Sequence, residues 1–187
     1  MKIKNLYKTY GDLVIFNRED FVLEEARINI LVGPSGSGKT TLLRIILGLE
    51  DYEGDLGRLK DLKKSVVFQE DRLLEDERVK DNFFLVNPSL KEEDVRKILE
   101  EVDLGKIENK RVRELSGGMK RRIAILRALS VDYDLLILDE PFKGLDEKNY
   151  RIMKDYLFKK TKGKTILLSS HMKEDEDLLT GRLIRLD

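Results

Sequence analysis

The sequence has no cysteine, a single histidine and only three prolines. Without cysteine it can hold no disulfide, no zinc–thiolate site and no thiol nucleophile. It lacks an excess of either charge, because 36 Lys+Arg stand against 36 Asp+Glu. A dedicated nucleic-acid binder normally shows a basic surplus, so this balance argues against one. No apolar run reaches the ~18 residues that would span a bilayer. The segment Met1–Tyr10 has no apolar stretch of the signal-peptide kind. The expectation is a soluble, cytoplasmic chain that meets a membrane only through a partner. No repeat, low-complexity tract or flexible linker is visible.

What is present is a chain of 187 residues, 41% of them hydrophobic, which is enough for one domain with a full core. Short β-like segments come first, at Lys2–Leu6, Leu13–Phe16 and Phe21–Leu23. A buried strand is predicted over Ile28–Val32. A nearly all-apolar helix, packed on every side, is predicted over Lys39–Leu47, with Gly48 stopping it. A strand ends in Phe68. From Asp71 to Leu115 the chain is charged and reads helical. Ser89 and Glu92 have capping-box spacing, Val95, Ile98, Leu99 and Val102 form an apolar face, and Gly105 closes that helix. A further helix over Gly117–Leu129 presents Ile123, Leu126 and Leu129. Then follow a strand at Leu135–Leu138, an amphipathic helix over Glu147–Lys160 with Ile152, Met153, Tyr156 and Leu157 inward, a strand at Thr165–Leu168 and an edge strand at Leu183–Leu186. Strands alternating with helices predict an α/β fold on a mostly parallel sheet, whose ligands bind at the carboxyl ends of the strands.

The first chemical motif lies at such an end. Gly33, Pro34, Ser35, Gly36, Ser37, Gly38, Lys39 and Thr40, with Thr41 beside them, match G-x-x-x-x-G-K-[ST] between a strand and a helix. The glycines let backbone N–H groups converge on phosphate oxygens, and the helix start adds its positive dipole end. Lys39 can charge-pair with the β- and γ-phosphates, and the Thr40 hydroxyl can ligate Mg²⁺. By itself the motif means nucleoside triphosphate binding, shared by kinases, GTPases, motors and transporters.

The second motif is Leu135-Leu136-Ile137-Leu138-Asp139-Glu140. Four apolar residues mark a central strand that carries two carboxylates to the ligand edge. Asp139 can hold Mg²⁺ or its water, and Glu140 can orient and deprotonate an attacking water. The third is Leu115-Ser116-Gly117-Gly118. Ser116 is placed as a helix N-cap, and Gly117 and Gly118 expose N–H groups at a second anion-favouring helix start. A second such site makes sense if it serves the nucleotide of another copy.

Leu115-Ser116-Gly117-Gly118 resembles the signature of ATP-binding-cassette (ABC) transporter ATPases. The order of phosphate loop, Gln, signature, hydrophobic-Asp-Glu, Asp and His resembles that family over almost the whole chain. The resemblance implies a P-loop NTPase fold with a mostly parallel sheet core, a small antiparallel β subdomain and an inserted α-helical subdomain. Residues 1–70 and 132–187 would form the nucleotide-binding core, and 71–131 the helical subdomain with the signature, all within one ABC ATPase domain, 1–187. It implies ATP and Mg²⁺ as ligands, a head-to-tail dimer, a transmembrane permease partner and a place at the inner face of the membrane. Ser116 and Gly118 would then contact the partner copy's γ-phosphate. Gln69 resembles the glutamine that touches Mg²⁺ or the attacking water, and Asp146 the interface aspartate, which is also a candidate N-cap for the helix at Glu147. His171 falls at the switch histidine that bonds the γ-phosphate, and Tyr10 at the aromatic that stacks on adenine, with a core tyrosine as the alternative.

The chain departs from the family by being short, trimmed between Glu53 and Ser65, with little room after His171. It reads Met119-Lys120-Arg121-Arg122 where many members carry glutamines. Phe68 to Leu74 resembles bacterial importers of small oxyanions. The competing expectations are a soluble non-transport ABC ATPase acting on nucleic acid or a protein complex, and a P-loop small-molecule kinase.

Overall fold

In the computed structural model, residues 1–170 and 181–186 are described. The amino-terminal third forms a three-stranded antiparallel sheet from β1 (Lys2–Tyr10), β2 (Leu13–Val22) and β4 (Glu53–Asp55), with β1 in the middle. A second sheet has five strands. It consists of β3 (Ile28–Val32), β5 (Lys64–Val67), β6 (Leu135–Asp139), β7 (Thr165–Ser170) and β8 (Arg182–Arg185), in the order β5-β6-β7-β3-β8. The pairs β3–β7, β3–β8 and β6–β7 are parallel. This is the α/β architecture that the alternation of strands and helices predicts. All five residues of β6 are buried, as expected of a strand covered on both faces.

The helices are α1 (Lys39–Ile46), α2 (Val79–Val86), α3 (Glu92–Glu100), α4 (Gly117–Leu129) and α5 (Glu147–Lys160). The chain divides into two compact units. One comprises Met1–Val66, Tyr133–Glu140 and Gly163–Asp187, and the other Val67–Asp132 and Pro141–Lys162. In the first unit one apolar cluster joins Leu42, Leu43, Ile45 and Ile46 of α1 to Ile3, Leu6 and Phe16 of the antiparallel sheet. Leu31, Ile137 and Leu167 of the parallel sheet belong to the same cluster. In the second unit the buried residues include Val79 and Phe83 of α2, Val95 and Leu99 of α3, Ile123 and Leu126 of α4, and Met153 and Leu157 of α5. No helix among the described residues is long and apolar enough to cross a membrane.

Several local expectations need correction. Leu13–Phe16 and Phe21–Val22 are parts of one strand, irregularly paired, with Arg18 in the left-handed region at φ 58°, and Leu23 lies just past its end. Helix α1 is not packed on every side, because Thr40 and Arg44, one turn apart, are exposed. Ser89 does not cap α3, because the helix begins at Glu92 and Ser89 lies two residues before the cap position, its hydroxyl donating to the Asn87 side chain at 2.6 Å. The cap is Lys91, whose N–H bonds Asp94 Oδ2 at 2.9 Å. Gly105 does not end α3 either. The helix stops at Glu100, and it is Asp103 that turns left-handed, at φ 57°. Helix α4 is buried nearly all round, with Ala124 and Ile125 inside as well as Ile123 and Leu126, while Leu129 is only half-buried.

Candidate functional site

The first unit carries the phosphate loop where β3 hands over to α1. Gly33 has no room for a side chain: a Cβ there would lie 2.5 Å from the Leu186 carbonyl oxygen and 2.6 Å from Ser37 Oγ. Gly38 has φ +90°, and a Cβ on it would meet Ile15 Cγ2 at 2.7 Å and Phe16 Cζ at 2.9 Å. The loop is therefore held from two sides, by the chain after β8 and by β2. Pro34, Ser35 and Gly36 stay exposed. The Ser37 hydroxyl is buried and has no hydrogen-bond partner among the described residues.

Lys39 is 5% exposed, and its ammonium donates to the carbonyls of Gly33 and Pro34, both at 2.7 Å. Burial pushes its pKa below the usual lysine value, and the nearby carboxylates of Glu140 and Asp139 oppose that shift. Thr40 is exposed, and its hydroxyl donates to Asp139 Oδ2 at 3.0 Å. The phosphate loop and the acidic strand end, 99 residues apart in sequence, thus form one cluster.

Ser169, which no sequence motif pointed to, organises the acidic pair. Its hydroxyl donates to Asp139 Oδ1 at 2.5 Å and accepts the Glu140 backbone N–H at 3.0 Å. Its carbonyl also accepts that N–H, at 3.3 Å. The parallel register of β6 and β7 sets Asp139 opposite Ser169 and so makes the contact inevitable. Glu140 sits at φ 47°, a conformation that costs a non-glycine residue about 1–3 kcal/mol and clusters at functional sites.

Tyr10 stands at the tip of the β1–β2 hairpin and is 44% exposed, so it is not a core tyrosine. Leu13 and Val14, also exposed, lie beside it across the turn. The Lys8 ammonium lies 4.7 Å from the ring centroid and bonds Glu50 Oε2 at 3.1 Å. The Lys8 hydrogen bond is the chief cause holding the Glu50 carboxyl below its usual value. An exposed ring with the Lys8 ammonium near it and two exposed apolar side chains across the turn is a surface suited to stacking.

In the second unit Gln69 is exposed in the loop after β5. Ser116 caps α4, its hydroxyl accepting the Met119 N–H at 3.3 Å. A Cβ on Gly117 would meet nothing within 4 Å, and one on Gly118 would make only ordinary contact with Leu145, at 3.7 Å. Asp146 caps α5, accepting the Asn149 backbone N–H at 2.9 Å and its side-chain amide at 2.6 Å. Those bonds hold its carboxyl below the usual aspartate range. His171 lies outside the described residues.

A glycine cradle with a buried, unpartnered hydroxyl and a buried lysine fits a nucleotide phosphate chain. A hydroxyl paired with a carboxylate is an oxygen-only donor set of the kind Mg²⁺ takes. The class is a phosphate-loop nucleotide site on a parallel sheet. The family model described as "ABC transporter" matches residues 16–143. The Nod factor export ATP-binding protein I of Cupriavidus pinatubonensis is 35% identical over 100% of this chain and 63% of its own length. The phosphonates import ATP-binding protein PhnC of Fusobacterium nucleatum is 32% identical over 100% of this chain and 88% of its own. A solved structure of an ATP-binding subunit of an ABC transporter superposes with TM-score 0.86 at 25% identity, covering 99% of this chain and 85% of that one. The chain belongs to the ABC transporter family of ATP-binding proteins.

Proposed function

We propose that the chain is the ATP-hydrolysing subunit of an ABC transporter, and that two copies meet head to tail around two ATP to drive a substrate across a membrane. The observation that carries this reading is the single cluster of Lys39, Thr40, Asp139, Ser169 and Glu140 at the carboxyl edge of the parallel sheet. Residues Gly33 to Thr41 cradle the phosphates, with Lys39 on the β- and γ-phosphates, and Tyr10 stacks on adenine. Thr40 and Asp139 would hold Mg²⁺, which would supply charge neutralisation at the phosphates, and the place of Gln69 as a further Mg²⁺ or water contact rests on family resemblance alone. Glu140 takes a proton from a water as that water attacks the γ-phosphorus, and the bond to the β-phosphate oxygen breaks.

The signature residues Ser116, Gly117 and Gly118 serve the nucleotide of the other copy, with Asp146 at the interface. The bareness of Gly117 supports this, because this chain's own packing does not require it. By family resemblance His171 serves the γ-phosphate. Residues 71–131 act as the helical subdomain that carries the signature, and 1–70 with 132–187 as the nucleotide-binding core. Relatives named as ATP-binding proteins of an export and an import system support transport as the coupled process. The partner is then a permease, and the working place of the chain is the inner face of the membrane.

Glu140→Gln tests the mechanism. It should bind Mg-ATP, lose turnover by at least about a hundredfold, and run as a dimer in light scattering. Turnover at the wild-type rate would remove Glu140 from this role. Used as bait on detergent-solubilised membranes, the same variant should capture a multi-spanning protein, whereas capture of soluble proteins or nucleic acid alone would favour a non-transport ATPase.

A further inference from the structure

We propose that Arg121 is a positioning residue, a single guanidinium that sets both the Gln69 loop and the turn following Glu140 against the signature helix. The inference rests on the roles proposed above for Gln69 and Glu140 and adds a residue to which neither motif points.

Arg121 lies in the second turn of α4 and is 4% exposed. Its Nε–H donates to the carbonyl of Pro141 at 2.9 Å, the residue joined directly to Glu140. Its Nη1 donates to the carbonyl of Phe68 at 2.6 Å and also reaches the carbonyl of Gln69 at 3.2 Å and Asp71 Oδ1 at 3.1 Å. A second arginine of the same helix, Arg127, bonds the Asp71 carbonyl at 3.3 Å. The stretch from Phe68 to Leu74 belongs to no helix or strand, so its carbonyls have no ladder to join. The arginines of α4 supply the partners instead.

These contacts share a pattern. Each goes to irregular backbone, or to the carboxylate within it, on the two segments that carry or adjoin the proposed reacting groups. A planar fork can serve carbonyls on two segments at once, which the point charge of a lysine cannot. A carboxamide offers one donor group and a shorter reach. Because the bonds run from one rigid helix, any rotation of that helix moves both segments together.

The test compares Arg121→Gln, Arg121→Lys and Asp71→Asn with wild type in steady-state ATP hydrolysis, with Glu140→Gln as control. Arg121→Gln should lower kcat about tenfold and leave the KM for ATP within about twofold, since a small misplacement of reacting groups costs rate and not substrate binding. Arg121→Lys keeps the charge and should recover only a small part of the loss. Asp71→Asn leaves the carbonyl bonds in place and should stay within about twofold of wild type. Wild-type kcat in Arg121→Gln, or full recovery by lysine, would overturn the proposal.

Hydrogen exchange of the free protein gives a second readout that needs no turnover. Amides 68–74 and 141–145 should exchange faster in Arg121→Gln while 117–129 are unchanged. Unaltered exchange in both segments would sink the idea, as would faster exchange throughout α4. If Glu140→Gln hydrolyses ATP like wild type, the role of Glu140 fails, and the exchange measurement still decides the clamp.

Discussion

The phosphate loop and the signature segment are both glycine-bearing helix starts, yet they are built in opposite ways. In the phosphate loop two of the three glycines, Gly33 and Gly38, answer to the chain itself, while Gly36 is open. Leu186 and Ser37 crowd Gly33, and Ile15 and Phe16 crowd Gly38. The polar groups there are also held from within, Lys39 by two carbonyls and Thr40 by Asp139. In the signature segment nothing approaches Gly117, and Ser116 is exposed apart from its cap bond. As the half-site proposed above, the first region is braced from within except at the Ser37 hydroxyl. The second leaves its backbone open, as the proposed service to another copy requires.

Substitutions can break or sharpen that contrast. The largest effect is expected at Ser169, where valine would strip the hydroxyl from a buried carboxylate and from the Glu140 N–H together. A loss of about 2–3 kcal/mol is expected, by the cost of hydrogen bonds to charged groups, read as a lowered urea midpoint together with slower turnover. Unchanged stability would mean that Asp139 finds other partners and that the half-site is less tightly built. Next comes a paired experiment. Gly38→Ala should destabilise the fold by about 1–2 kcal/mol through its left-handed backbone and the clash with Ile15. Gly117→Ala should leave the melting temperature unchanged or raise it, by up to about 1 kcal/mol of helix propensity, while hydrolysis falls. Equal thermal losses in the two variants would erase the distinction between an inward and an outward glycine.

The smallest effect lies in the second unit, away from the signature. Glu101 accepts hydrogen bonds from Lys159 at 3.0 Å and Lys160 at 2.8 Å, and Lys160 first, then Lys159, holds its carboxyl below the ordinary value of 4.5. A carboxyl depressed in the folded state stabilises above its unfolded pKa, and that stability is lost as pH falls through the folded one. Glu101→Gln should therefore cost no more than about 0.5 kcal/mol at pH 7, as for surface pairs, and nothing once the acid is protonated. A pH-independent loss in thermal melts would deny that the ion pairs carry it.

The phosphate loop was legible in the sequence because its residues are contiguous and each has a local reason. So were the helices over Gly117–Leu129 and Glu147–Lys160 and the N-caps Ser116 and Asp146, whose signals lie within one turn. Ser169 was not, because its role exists only once β6 and β7 pair, 30 residues apart. The Lys8–Glu50 bond beside Tyr10 spans 42 residues and carries no periodic signature. Ser89 failed as a cap because the helix begins two residues later than the Ser89–Glu92 spacing implies, at the cap Lys91. Local signals held where the partners lie within one turn and failed where they come from distant segments.

Glu140 in its left-handed conformation has a consequence for anyone improving this protein by selection. Glycine or asparagine would relax that backbone, so a library screened only for survival of heating should enrich them at position 140. Such winners would be sturdier and inert, because the side chain they discard is the one proposed to activate water. A heat screen on this fold needs a turnover assay beside it, or it will select against the chemistry it is meant to preserve.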